Sequence, residues 1–271
     1  MVKKSKFSWL LFYIAITIYI FNVLGILFTV IVDSFGKNWF RGLLPSEFSL
    51  KWYQYTAADH NIPHLLTTTF FVVISVVVIS IAVALPASYV MARHDFKLKN
   101  LVMTLFLLPM LIPPMTYGVP LAIILLSTHM PNLLCVILGN LVPIIPFMIL
   151  ILTPFIEQVG VNMESAARML GAKKFTIFRK ILVPLIMPGI LTAGIMSIVK
   201  AISAFELTYL IASNKSNTLV VALYADATAA GSRPTQSIDA MAVIYFATAM
   251  ISLIAALFFV NPTQMVFKIK E

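Results

Sequence analysis

Residues 65–92 read LLTTTFFVVISVVVISIAVALPASYVMA, twenty-eight residues without a charged side chain. About 20 apolar residues cross the roughly 30 Å hydrocarbon core of a bilayer as a helix, and this stretch exceeds that length. Five other segments meet the same test: about 9–32, 100–126, 131–154, 182–212 and 239–260. Membrane strands would show ten-residue alternation, and none is present. The expected fold class is an all-α integral membrane protein of about six transmembrane helices. Composition agrees, with 61% hydrophobic and 11% charged residues and a mean hydropathy of +0.99 over 271 residues. Such a chain cannot furnish the charged surface that a soluble domain of this size needs.

The net charge of +9 would suggest nucleic acid in a soluble protein, but here the membrane accounts for it and no nucleic acid is expected. With the N-terminus placed inside, the inner segments hold Lys3, Lys4, Lys6, Arg93, Lys97, Lys99, Arg168, Lys173, Lys174, Arg179, Lys180, Lys268 and Lys270. The outer segments hold only Lys37, Arg41, Lys51, Lys215 and Arg233. This asymmetry favours both termini in the cytoplasm. The first apolar run is too long for a signal peptide and lacks a small-residue cleavage site, so it reads as a retained helix. Cys135, the single cysteine, reads as a small buried hydrophobe. His60, His64, His94 and His129 show no ligand spacing, so no metal site is expected.

Two connections are long. The outer stretch 33–61 carries Trp39, Trp52, Tyr53 and Tyr55, aromatics suited to a membrane interface. The chain accordingly divides into residues 1–64, a helix and outer loop, and 65–271, a five-helix core containing an inner loop at 155–181. That inner region runs EQVGVNMESAARMLGAKKFTIFRKILVPLIMP over 157–188. Asn162 is placed to cap a short helix with Glu164 in its first turn. Ser165, Ala166 and Ala167 are small enough for another surface to approach the backbone. Gly171 stands where a left-handed C-cap would end the helix. A second helical stretch over 172–182 puts Phe175 and Phe178 on one face, and Pro184 and Pro188 mark the start of the fifth membrane helix. The pattern describes a helix–turn–helix knob along the cytoplasmic face; an ordinary amphipathic interfacial loop is the other reading.

This loop resembles that of bacterial importer permeases of the ATP-binding cassette type. Their pattern is EAA, three residues, Gly, nine residues, Ile, one residue, Leu-Pro. Ala166, Ala167, Gly171, Ile181 and Pro184 match at that spacing; Ser165 stands in place of Glu and Val183 in place of Leu, with Glu164 one residue early. FSLKWYQY at 48–55, TTTFFVVIS at 67–75 and LLPMLIPPMTYGVP at 107–120 are similar to the same family. The flavour is nearest to polyamine, ferric-ion and aminophosphonate importers, with sugar importers more distant. The resemblance implies that residues 162–174 form a coupling helix seated in a separate ATPase, with residues 164–167, 171, 181 and 184 as the coupling loop. It implies two ATPase copies that bind the ATP and Mg, a second permease chain as a distinct paralogue, a solute-binding protein, and a bacterial inner-membrane location in contact with lipid. This chain would be no enzyme and would carry no cofactor. It contains no G-x-x-x-x-G-K-[ST] phosphate loop. The expected cargo is of polyamine type or another small polar solute; a sugar importer permease and an ion-coupled secondary transporter are the alternatives. The two related halves of a secondary transporter are not evident.

Ionisable groups at membrane depth suggest function. Lys200 and Glu206 fall in the fifth segment, SIVKAISAFELTYLIA at 197–212. On one ideal helix they would lie about 120° apart and would not pair. Glu206 either lines the pathway or contacts a neighbouring helix, and Lys200 either joins it or snorkels to water. Tyr117 and Tyr209 are further pathway candidates. Pro109, Pro113, Pro114 and Pro120 are expected to interrupt the third helix, and Pro143 and Pro146 the fourth, either as a gate or as packing kinks.

Overall fold

A backbone in hydrocarbon has no water to bond, so each segment must satisfy its own N–H and C=O groups, and helices do this. The computed structural model describes residues 6–37, 44–213, 215–229, 231 and 233–258. Lys3, Lys4, Lys268 and Lys270 of the termini, and Trp39 and Arg41 of the long loop, lie outside the described residues. In chain order the helices are α1 Lys6–Phe35, α2 Lys51–Asp59, α3 Ile62–Arg93, α4 Lys99–Leu111, α5 Pro114–Ser127, α6 Asn132–Gln158 and α7 Val161–Met169. Then come α8 Lys174–Ile177, a π-turn Phe178–Leu182, α9 Val183–Leu185, α10 Met187–Ile202, α11 Glu206–Ile211, α12 Leu219–Thr228 and α13 Thr235–Phe258. Among the described residues there is no strand, only an isolated bridge between Gly36 and Phe48.

Among the described residues four helices (α1, α3, α6 and α13) are individually long and apolar enough to span a membrane. The third expected segment is a bent pair, α4 with α5 at 96°; the fifth overlaps another, the α8–α9 stretch with α10 at 71°, which begins at Lys174 and ends at Ile202. Counting each pair as one span gives the six segments read from hydropathy. Pro113 and Pro114 cause the first bend. A residue before proline is driven out of the helical region, and both Ile112 (ψ 132°) and Pro113 (ψ 130°) are extended. The fourth segment departs from expectation, because α6 runs unbroken through Pro143, Pro146 and Pro154. Single prolines are tolerated where packed neighbours hold a membrane helix in place, and more than half of α6's apolar stretch is buried. The fifth departs in the opposite sense, since the continuous helix expected over 182–212 stops at Ile202 and restarts at Glu206.

The chain divides into two units. The first comprises residues 1–62 and 223–247. Every residue from 9 to 24 of α1 is exposed, an apolar surface that only lipid or another protein can cover. At its far end α2 folds back: the Trp52 indole donates to the Gly36 carbonyl at 2.7 Å and Tyr53 shares a 2.8 Å hydrogen bond with Ser34. Burial pushes the Tyr53 phenol up, opposed by the Ser34 bond. Asp226 binds His60 at 2.8 Å and the Arg233 Nε at 3.1 Å, and Arg233 also pairs with Asp59.

The second unit comprises residues 63–222 and 248–271. Its core is a layer of Ala84 and Leu85 from α3, Met148, Ile149, Leu152 and Ile156 from α6, Leu182 from the π-turn, Ile186, and Ile190 and Ala193 from α10. This layer seats both arms of the knob, the arriving α6 and the departing α10. Gly189 permits the contact, because a Cβ there would stand 2.5 Å from the Phe155 ring.

Candidate functional site

The knob begins where α6 ends at Gln158. Gly160, with ψ 129°, turns the chain into α7, so the N-cap is Gly160 and not the expected Asn162, which makes no capping bond. Only Val159 and Gly160 separate the two helices, which leaves α7 to start two residues earlier than a cap at Asn162 would allow. Glu164 accordingly faces inward and is 1% exposed. Arg93 at the end of α3 donates from Nε to Glu164 Oε1 at 2.7 Å, and from Nη2 to the Val159 carbonyl at 2.6 Å. The Tyr89 hydroxyl donates to Glu164 Oε2 at 2.8 Å, and Arg168 stands 3.8 Å from the same oxygen. One guanidinium thus ties the C-terminus of α6 to the first turn of α7. A carboxylate in that turn also favours the helix dipole. α3 can reach this point because 32 residues make a helix of about 48 Å, well over the hydrocarbon thickness.

The other end of α7 closes as read from the sequence. Gly171 has φ +83°, its N–H reaches the Arg168 carbonyl at 2.9 Å, and the Ala172 N–H reaches Ala167 at 3.0 Å. These are the two bonds of a Schellman cap. Ser165 and Ala166 are exposed and Ala167 is half-buried. The crest is apolar, with Met169 84%, Leu170 88% and Phe175 70% exposed. Phe178 does not share that face as expected; it packs edge-on against Tyr89, ring centroids 5.5 Å apart. Positions three apart on a helix diverge by about 60°, enough on this narrow element to turn one ring outward and the other in. The expected second helix is short, α8 running directly into the π-turn. Ile181 is half-buried and Pro184 opens α9.

A second feature lies at the break between α10 and α11. A cavity of about 180 Å³ is lined by Lys200, Ser203, Glu206, Asn140, Pro109 and Pro114 among others. Ending one helix at Ile202 and restarting at Glu206 removes the angular separation expected on a continuous helix, so both charged residues reach one wall. Lys200 Nζ sits 4.5 Å over the Phe147 ring. Asn140 is 2% exposed and donates from Nδ2 to Thr208 Oγ1 and to the Val136 carbonyl, both at 2.9 Å. Its Oδ1 has no hydrogen-bond partner among the described residues. Tyr117 bridges the α4–α5 bend, its hydroxyl 3.4 Å from the Pro109 carbonyl, and is not part of the cavity wall. Tyr209 stands on an exposed face of α11 with its ring tilted on Phe205 and is not part of the cavity wall.

Sequence reasoning missed Arg93, Tyr89 and Asn140. In the sequence Arg93 reads only as a topogenic charge, though an arginine closing a long apolar helix is a natural anchor. Asn140 stood in plain view as an amide within an apolar run, where a polar group demands partners.

Residues 84–264 match the family described as binding-protein-dependent transport system inner membrane component. The sulfoquinovosyl glycerol transport system permease protein of Agrobacterium fabrum is 29% identical over 178 residues, 65% of this chain and 61% of that protein. The trehalose transport system permease protein of Mycobacterium tuberculosis is 31% identical over 174 residues, 62% of each chain. The chain thus spans a little under two thirds of the length of these relatives. Among solved structures, a chain of a bacterial ABC transporter that imports the acidic polysaccharide alginate superposes with a TM-score of 0.76 at 15% identity, covering 96% of this chain and 99% of that one. A chain of the MetNI methionine ABC transporter, in an inward-facing conformation, superposes with a TM-score of 0.58 at 16% identity, covering 76% of this chain and 94% of that one. These likenesses agree on the fold, and the family match takes in the knob and the cavity together: the chain belongs to the binding-protein-dependent transport system inner membrane component family.

Proposed function

We propose that this chain is the transmembrane permease subunit of an ATP-driven importer and carries cargo of sugar type. The observation that carries the reading is the knob: a short helix held rigidly by Glu164, Arg93 and Tyr89, whose small and apolar crest is exposed. A surface so anchored can transmit force, and one so apolar fits a cleft in another protein. Residues 164–167, 171, 181 and 184 form the coupling loop in this reading, on the cytoplasmic side with both termini, as the Lys and Arg asymmetry supports. Residues 65–271 form the pore-lining half, preceded by the helix and loop of 1–64. Two ATPase copies bind ATP and Mg, a distinct second permease chain completes the pore, and a solute-binding protein delivers cargo, all at a bacterial inner membrane. Lys200, Glu206 and Tyr117 line the pathway. The cargo of the sulfoquinovosyl glycerol and trehalose relatives supports a sugar over the polyamine suggested by sequence flavour alone.

Pull-down of the tagged chain from detergent-solubilised membranes tests the coupling, wild type beside Gly171→Pro. Proline fixes φ near −65° and removes the N–H that bonds Arg168, so it cannot occupy this φ +83° position. Wild type should recover an ATPase subunit, and the variant, inserted at normal levels, should recover at least tenfold less. Equal recovery would strip the knob of this role, and no ATPase with wild type would overturn the permease reading.

A further inference from the structure

The cavity at the α10–α11 break holds unmet chemistry. Among the described residues neither Lys200 nor Glu206 makes an ion pair, although both line one space. Ionisable groups at membrane depth are retained at a cost, and normally find each other or a ligand. Tyr117 does not answer either charge by a hydrogen bond among the described residues, since its hydroxyl is directed at the Pro109 carbonyl, 3.4 Å away. Among the described residues the Lys200 ammonium has only the face of Phe147, and an aromatic face replaces a counter-ion incompletely. Asn140 adds an acceptor, Oδ1, that nothing described satisfies. At about 180 Å³ the space holds several waters or the polar head of a small solute.

We propose that this cavity is a cargo site for a polyol bearing one acidic group, with Lys200 pairing the acid and Glu206 and Asn140 accepting from hydroxyls. The assignment rests on the reading of the chain as a sugar-type permease and narrows it. An anion answers the ammonium, and hydroxyl donors answer the carboxylate without bringing a second charge. A purely cationic solute would satisfy Glu206 but be repelled by Lys200. A neutral sugar would satisfy Glu206 and Asn140 and leave the ammonium without its counter-ion.

The test is equilibrium binding to the purified assembly in lipid nanodiscs, without the solute-binding protein, using glucuronate, glucose and putrescine as probes. Glucuronate should bind about tenfold more tightly than glucose, the scale of one charge-assisted hydrogen bond. Lys200→Met should erase that preference, bringing glucuronate down to the level of glucose in the same variant, Lys200→Arg should keep it, and Glu206→Gln should weaken both sugars. The proposal is overturned if glucuronate binds no better than glucose, if its preference survives Lys200→Met, or if putrescine binds tightest. It is also overturned if Lys200→Met and Glu206→Gln each lower stability, the double variant restores it, and no probe binds, for the two charges would then serve only each other. Recovery of the ATPase in the same preparations judges the permease reading separately: an ATPase-bearing assembly indifferent to glucuronate sinks the site and leaves the importer standing.

Discussion

Arg93→Met should free the knob from the bundle. The substitution leaves Glu164 buried beside Tyr89 without its cation, and withdraws the donor from the Val159 carbonyl. Breaking one side of a buried ion pair costs about 3–5 kcal/mol, because the abandoned charge must be neutralised or dragged into water. At 1.4 kcal/mol per factor of ten, backbone amides of α7 should exchange hydrogen about a hundredfold or more faster, while those of the α6 core stay protected. Arg93→Lys should fall between, since an ammonium keeps the charge but cannot fork to the carboxylate and the carbonyl together. The double variant Arg93→Met with Glu164→Leu should regain most of the lost protection, because replacing a whole buried pair with apolar side chains is often near neutral. Unchanged exchange in Arg93→Met would mean that α7 is held by its apolar neighbours and that the ion pair adds nothing.

The same site shows what the sequence discloses and what it withholds. Length and hydropathy suffice to find six segments, because the thickness of a bilayer is a constraint that any crossing helix must obey. The Schellman turn at Gly171 is legible too, since a positive φ at a helix end nearly names its residue. The Glu164 anchor is not legible. Tyr89 and Arg93 lie more than seventy positions away, and nothing in a single sequence says which distant cation meets which carboxylate. Ser165 takes on a different meaning once the anchor is seen: the position one before it turns inward to the bundle, while Ser165 itself stays on the crest with Ala166. The helix breaks divide along a similar line. Tandem Pro113–Pro114 breaks a helix by local sterics and is readable. Single Pro143 and Pro146 are overruled by the packing around α6, and the stop at Ile202 has no proline at all. That last break brings Lys200 and Glu206 to one cavity, so the most informative juxtaposition in the molecule depends on tertiary structure.

Gly189→Ala should be felt at the base of the knob although it adds a single methyl. A Cβ at this position would lie 2.5 Å from Phe155 Cγ and Cδ1 and 2.9 Å from Phe155 Cβ. The ring end could swing aside, but its Cβ is fixed to α6, so the two helix backbones must part. Forcing a methylene into a packed interior costs about 1–3 kcal/mol, and Gly189→Leu should exceed that range. Because α6 enters the knob and α10 leaves it, separating them at Phe155 loosens both arms at once. Detergent-solubilised protein should therefore melt several degrees lower, with recovery of the ATPase reduced even though every crest residue is intact. Phe155→Ala, which removes Cγ and Cδ1 and leaves only the 2.9 Å contact to Cβ, should restore part of the stability of Gly189→Ala while costing some on its own. A double variant no better than the sum of the singles would show that the cost arises elsewhere, in the first turn of α10 rather than at the crossing of the two helices.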